Sequence, residues 1–164
     1  MTVLVGIDQG TTGTRVVAFD RGWTPVADAY REVPTHHPRA GWVEKDAEAV
    51  VASVAEALAE VAGQVGRHRV TAVGLDNEGE TVVAWDARTL RPLAPAVVWS
   101  CRRSEPIVRR LEERGVADAV RRAAGTPLDP YFSSTKIRWL LEQVPAVEAA
   151  AKAGTVRFGT QTLK

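Results

Sequence analysis

The segment Asp8-Gln9-Gly10-Thr11-Thr12-Gly13-Thr14-Arg15 is the densest set of groups in the sequence able to handle an anion. Gly10 and Gly13 are free to take positive φ, so the backbone can turn tightly and aim several N–H groups at one point. Thr11, Thr12 and Thr14 add hydroxyl donors, and Arg15 adds a guanidinium that can fork onto a phosphate. Asp8 ends an apolar run, and a carboxylate there suits hydrated magnesium, a hard cation that keeps most of its waters. No Gly-Lys-Ser/Thr follows, so the segment is not a P-loop. Thr11, Thr12, Gly13 and Arg15 are therefore expected to bind phosphate, with Mg2+ at Asp8 through water. An ordinary Gly/Thr-rich turn that binds nothing is the alternative.

Other chemically capable residues read as structural. His36-His37 sits in a Pro-rich loop with no carboxylate or cysteine at ligand spacing, which favours a loop over a metal site. Cys101 is the only cysteine, so an internal disulfide and a zinc cluster are both excluded. It reads as a small buried residue, and a reducing, cytoplasmic setting is expected. Trp42 and Trp85 are expected to pack, and Arg102-Arg103 is either a helix-entry charge pair or an oligomer contact. With 21 basic and 20 acidic residues the formal net charge is +1, which gives no electrostatic reason for a nucleic-acid or acidic-membrane partner. No apolar run approaches the roughly 18 residues of a membrane helix. The initial run meets Asp8 too soon for a signal peptide and reads as a strand.

The elements that must position the Gly/Thr segment follow from periodicity. Residues 2–7 and 15–20 are β-branched and apolar, so they form a hairpin around the turn; 25–33 reads as a third strand. Three strands in a row suggest a mixed sheet and not a βαβ dinucleotide unit. Asp46 is a good N-cap with Glu48 in the first turn, and Val50, Val51, Val54, Leu58, Val61 and Val65 follow at helical spacing. Strands are expected at 70–75, 81–85, 96–99 and 155–158. A helical pattern runs from Ser104 through Val108, Leu111, Val116, Val120 and Ala123 to a break at Gly125-Thr126-Pro127, and another helix covers 133–143 with Ile137, Leu140 and Leu141 inward. No internal repeat, low-complexity stretch or inter-domain linker is visible, so 1–164 reads as one domain.

A strand, Asp-x-Gly-Thr-Thr, a short turn and a second strand resemble the first phosphate motif of the actin-like ATPase superfamily, and within it the FGGY carbohydrate kinases. The resemblance continues, to the glycerol kinase branch, in Gly41-Trp42-Val43-Glu44, in Val98-Trp99-Ser100-Cys101-Arg102-Arg103 and in Asp129-Pro130-Tyr131-Phe132-Ser133-Ser134-Thr135-Lys136. Four motifs in order are far more specific than one. The resemblance implies an α/β, ribonuclease-H-like domain, a mixed β-sheet flanked by helices. Residues 1–164 would be the N-terminal domain of a two-domain enzyme, incomplete at its C-terminus, where the chain stops at Gln161-Thr162-Leu163-Lys164 just after a strand. It implies ATP and Mg2+ as cofactors, a polyol or sugar as substrate, neither nucleic acid nor membrane as partner, and a homo-oligomer at full length. The catalytic base and the adenosine pocket would lie beyond this chain, leaving no catalytic residue within it and no activity for it alone.

In the resembled branch an Arg-Glu pair after the fourth strand, a Trp and a Tyr hold the polyol. Alignment on Thr81-Val82-Val83-Ala84-Trp85 carries these roles to Glu80, Trp99 and Tyr131. Hydroxyls need polar partners and C–H groups need an apolar wall. Gly79 occupies the arginine position and Glu78 that of the preceding glutamine; Glu78 is left open between the site and a solvated loop. A hydrogen bond to a charged group is worth about 1.5–3 kcal/mol, so Gly79 either weakens glycerol binding or makes room for a longer substrate. Alternatives to a glycerol kinase are an FGGY kinase for another sugar or polyol, a non-catalytic actin-like binding module, and an ATPase relative whose partner is a protein.

Overall fold

The computed structural model describes residues 2–160; the chain end at 161–164, read above as the break after the last strand, lies outside them. Along the chain run β1 (Val3–Gln9), β2 (Gly13–Phe19), β3 (Pro25–Glu32), β4 (Glu44–Lys45), α1 (Ala47–Val65), β5 (Val70–Asn77), β6 (Val82–Asp86), β7 (Ala96–Val97), α2 (Glu105–Glu113), α3 (Ala117–Ala124), α4 (Ser133–Gln143), α5 (Pro145–Lys152) and β8 (Val156–Thr160). Within the described residues, 2–35 with 45–78 form one compact unit, and His36–Glu44 with 79–160 form the other. Among the described residues no helix is long and apolar enough to cross a membrane.

The first unit is a mixed sheet of order β3-β2-β1-β5, antiparallel except for the β1–β5 pair. Period-2 alternation sends Val3, Val5 and Ile7 of β1 into a core completed by Val16, Ala18 and Ala29 and by Ala57, Val61 and Val65 of α1. The Asp46 side chain caps α1, accepting from the amides of Glu48 at 2.8 Å and Ala49 at 3.3 Å. Val51, expected on the buried stripe, is 69% exposed. It lies one position, some 100° of helical turn, beyond Val50. Ser53 takes the inward place instead, because its hydroxyl donates to the Val50 carbonyl and pairs with the Thr14 hydroxyl at 2.7 Å.

The second unit holds the sheet β4-β7-β6-β8. Its core is Val82, Ala84, Val97, Cys101, Leu140 and Val147, with Ile137 and Leu141 packed against it. The expected single helix from Ser104 is two helices, because Gly115 at φ 70° in the left-handed region ends α2. α5 was not expected; Pro145 sits at its first turn, where a missing amide costs nothing. Trp42 packs as expected, edge-on to Trp139 with ring centroids 5.1 Å apart. Arg102 and Arg103 part company. Arg102 pairs on the surface with Glu105, while Arg103 is buried, bonds Glu44 at 2.7 Å and lies 4.3 Å from the Trp42 ring and 5.1 Å from that of Trp139.

The glycines of the β1–β2 turn work differently from the expectation. Neither Gly10 nor Gly13 has positive φ. The Gly10 amide closes the turn onto the Gly13 carbonyl at 2.9 Å. Gly13 is required by space: a Cβ there would sit 2.3 Å from the Arg31 carbonyl oxygen and 2.5 Å from the Tyr30 hydroxyl. At Gly10 the nearest atom to such a Cβ is 3.6 Å away, an ordinary contact. Gly13→Ala is therefore expected to destabilise the chain by about 1–3 kcal/mol in urea unfolding, while Gly10→Ala stays within about 0.5 kcal/mol. Equal losses would show that conformational freedom and not close approach selects these glycines.

Candidate functional site

In the first unit, Asp8 is the penultimate residue of β1 and is exposed, with its backbone in register with Arg15 on β2 and Asp76 on β5. Asp8, Arg15 and Asp76 share the sheet face turned away from α1, around a shallow cavity of about 480 Å³ that Gly6, Val17, Phe19 and Gly74 also line. Arg15 is half-exposed and pairs with Asp28 at 2.8 Å, a surface ion pair that a phosphate could outcompete. Thr12 lies exposed at the turn, its hydroxyl accepting from Tyr30 at 3.3 Å and its carbonyl from the Val33 amide at 2.9 Å. Thr11 is half-buried beside it, and Gly13 begins β2. Thr14 is not part of the anion set: it is fully buried and spends its hydroxyl on Ser53.

The donor set fits a magnesium-bound phosphate group: a guanidinium and hydroxyls for the anion, and a strand-end carboxylate for the cation. Among the described residues no three His, Cys, Asp or Glu side chains are grouped to hold a metal by themselves, so Asp8 would reach the ion as one contact in a shell completed by phosphate and water. Asp76 escaped the sequence reading. Its signal was there, an acid at the carboxyl end of a strand, but only the parallel register of β1 and β5 brings it beside Asp8.

Behind the turn lies a fully buried lysine. Lys45 is 0% exposed; its Nζ donates to the Gly10 carbonyl at 3.1 Å and to Glu78 at 3.2 Å. Glu78, left open above, is thus turned inward as the partner of Lys45, and this buried charge pair fixes the Gly10 carbonyl of the turn.

In the second unit, Trp99 follows β7 and Tyr131 precedes α4, and their rings meet edge to face with centroids 5.8 Å apart. Both are large and exposed, Trp99 at 37% and Tyr131 at 44%, so they form an aromatic wall open to solvent. The Trp99 amide donates to the Thr81 hydroxyl at 3.1 Å, tying the wall to the segment that carries Glu80. Glu80 accepts from the Ser133 amide at 2.7 Å and the Ser133 hydroxyl at 2.5 Å, both on Oε2. A carboxylate at the first residue of α4 meets the positive end of the helix, and the two Ser133 donors orient it. Glu80, Trp99 and Tyr131 are therefore brought together by the first turn of α4. Gly79 is exposed, with nothing within 4 Å of where a Cβ would stand.

Lys136 is the second buried lysine, one turn into α4 and 0% exposed. Its Nζ donates to the Tyr131 carbonyl and lies 5.9 Å from that residue's ring centroid. Burial pulls its pKa down from 10.5 to about 8, against the opposing pull of Glu80, Cys101 and Asp129. A lysine with a lowered folded pKa costs stability at neutral pH, and that cost fades as pH rises from about 8 towards the unfolded value of 10.5. Neither Lys136 nor Ser133 was singled out by the sequence, because nothing in a helical pattern says which polar position turns inward.

The chain is 45% identical over 159 residues to the glycerol kinase of Shewanella frigidimarina and 42% identical over 159 residues to that of Pseudomonas fluorescens. Each alignment covers 96% of this chain and 32% of the relative, so the chain spans about a third of the length of the enzymes it matches. Among solved structures, glycerol kinase of Plasmodium falciparum with ADP superposes with a TM-score of 0.88 at 28% identity, over 98% of this chain and 32% of that one. Xylulose kinase of Lactobacillus acidophilus, at a TM-score of 0.83 and 21% identity over 91% of this chain and 30% of that one, shares the fold. Residues 3–162 match the FGGY family of carbohydrate kinases, N-terminal domain, and the chain belongs to that family.

Proposed function

We propose that this chain supplies the first phosphate hairpin and much of the polyol-binding wall of an ATP-dependent polyol kinase, with glycerol as the acceptor. The observation that carries the reading is the Trp99–Tyr131 ring pair beside the Glu80 carboxylate, an apolar edge and an anionic acceptor within one unit. Such a wall matches a small polyol, whose C–H side packs on the rings while its hydroxyls donate to the carboxylate. In the other unit, Thr11, Thr12, Gly13 and Arg15 would hold the nucleotide phosphates, and Asp8 would hold magnesium through water. Magnesium bound there with ATP would neutralise phosphate charge. Phosphoryl transfer asks the protein mainly for alignment and charge stabilisation, which these groups provide. The base that takes the hydroxyl proton is assigned to the part of the protein beyond this chain. The setting is taken to be the cytoplasm, where ATP is available.

Gly79 favours a second reading. The open space at that position could accept a longer polyol or a ketose in place of the missing guanidinium. The two readings separate on kcat/KM for glycerol, tetritols, pentitols and ketopentoses, measured on the full-length protein and its Gly79→Arg variant. If glycerol is the substrate, wild type prefers it and the arginine is neutral or harmful. If a longer substrate is native, Gly79→Arg shifts the preference towards glycerol by about tenfold or more, since one charged hydrogen bond is worth more than 1.4 kcal/mol. Absence of transfer to any member of the panel would reject the kinase reading.

The assignment of Asp8 has its own test. Asp8→Asn in the full-length protein should lower kcat by about tenfold or more and leave glycerol affinity within about twofold, because a metal contact acts mainly on transition-state charge. An equal loss in both would move Asp8 from the phosphate side of the reaction to the polyol.

A further inference from the structure

Lys136 stands where physical chemistry disfavours a lysine twice over. A lysine head normally stays in water, yet this side chain is fully buried. It also lies in the first turn of α4, at the positive end of the helix, where a cation is repelled. Its surroundings account for its presence. The Nζ donates to the main-chain carbonyl of Tyr131 and faces that residue's ring. The charged and titratable groups facing it are Glu80 from the segment before β6, Asp129 from the loop before α4, and Cys101 after β7. Cys101 in turn accepts a hydrogen bond from the Arg103 guanidinium at 3.0 Å. Thr135, the neighbouring residue, pins this turn to Ser104 through a 3.0 Å hydroxyl pair, so the ammonium cannot swing out to solvent without loosening α4.

We propose that Lys136 is the positioning residue of the polyol half-site: its buried ammonium fixes Tyr131 through the main-chain carbonyl and balances the Glu80 carboxylate, so both are presented to the polyol only while Lys136 is charged. Loss of the proton leaves Glu80 and Asp129 without their nearby cation. The wall then loosens. Because burial brings the Lys136 pKa to about 8, the switch falls just above neutral pH. The nucleotide side, carried by the other unit, is untouched. The inference rests on the polyol kinase reading.

The test uses the full-length protein from pH 6.5 to 9.5, with glycerol or whichever polyol gives the highest kcat/KM. In wild type the polyol KM should rise about tenfold between pH 7 and 9 while the ATP KM stays within about twofold. Lys136→Arg, which keeps its charge throughout the range, should abolish the rise. Lys136→Met should show a KM about tenfold higher at pH 7 and no pH dependence. A second measurement needs no variant at Lys136 to fold: without substrate, tryptophan fluorescence of wild type should show a transition with a midpoint near pH 8 that is lost in Trp99→Phe, because the Trp99 ring touches Tyr131. Turnover with a pH-independent polyol KM, or a wild type without that fluorescence transition, overturns the role of Lys136. No turnover with any polyol at any pH overturns the kinase reading instead.

Discussion

An ammonium group cannot be left alone inside a protein, and that constraint shapes both units. Lys45 and Lys136 are both fully buried. Each must be surrounded by oxygen, because desolvating a charge costs several kcal/mol unless hydrogen bonds and an opposite charge offset it. Around Lys45 the oxygens come from the Gly10 carbonyl and Glu78. Around Lys136 they come from the Tyr131 carbonyl, with Glu80 and Asp129 as the countercharges. In each unit a segment given a ligand-binding role is thereby tied to a buried charge. Such segments are exposed and irregular and would otherwise be mobile.

The hairpin shows a second constraint of the same kind, this time steric. β2 approaches β3 so closely at Gly13 that only a residue without Cβ fits. The approach draws the Thr12 carbonyl onto the Val33 amide and sets the turn against β3. Thr14 is pulled inward to Ser53, which leaves Thr11, Thr12 and Arg15 as the outward groups. Within β2, alternation turns Thr14 inward towards α1 and Arg15 outward.

Much of this was legible in the sequence. The first three strands and α1 were, because alternation in β1 and β2 and the Asp46 cap are local signals that tertiary contacts reinforce. The family was legible through four motifs, and the candidate site residues rest on the same resemblance. Part of what was not legible depended on partners far along the chain, and part on local signals that can be read two ways. Val51 looked as apolar as Val50, but the inward face of α1 runs through Val50, Ser53, Ala57, Val61 and Val65, where Ser53 meets Thr14. The split between α2 and α3 hung on one left-handed glycine, and α5 began at a proline that reads equally well as a breaker. Gly10 and Gly13 were recognised as necessary for a conformational reason, whereas the structure gives a spatial one at Gly13 alone. The inward turn of Glu78, Lys45 and Lys136 could not be seen, since a charged residue signals solvent until its partner is known.

The account's central claim is that the Trp99–Tyr131–Glu80 cluster receives the polyol and the 11–15 hairpin receives the nucleotide phosphates. A crystal structure of the full-length protein with glycerol and ADP–magnesium tests it directly. The account predicts glycerol carbons against the Trp99 and Tyr131 rings, a glycerol hydroxyl within hydrogen-bond distance of Glu80, and phosphate oxygens on Thr11, Thr12, Gly13 and Arg15. Glycerol bound away from both rings, or phosphates beyond a water-mediated contact from the hairpin, would contradict it.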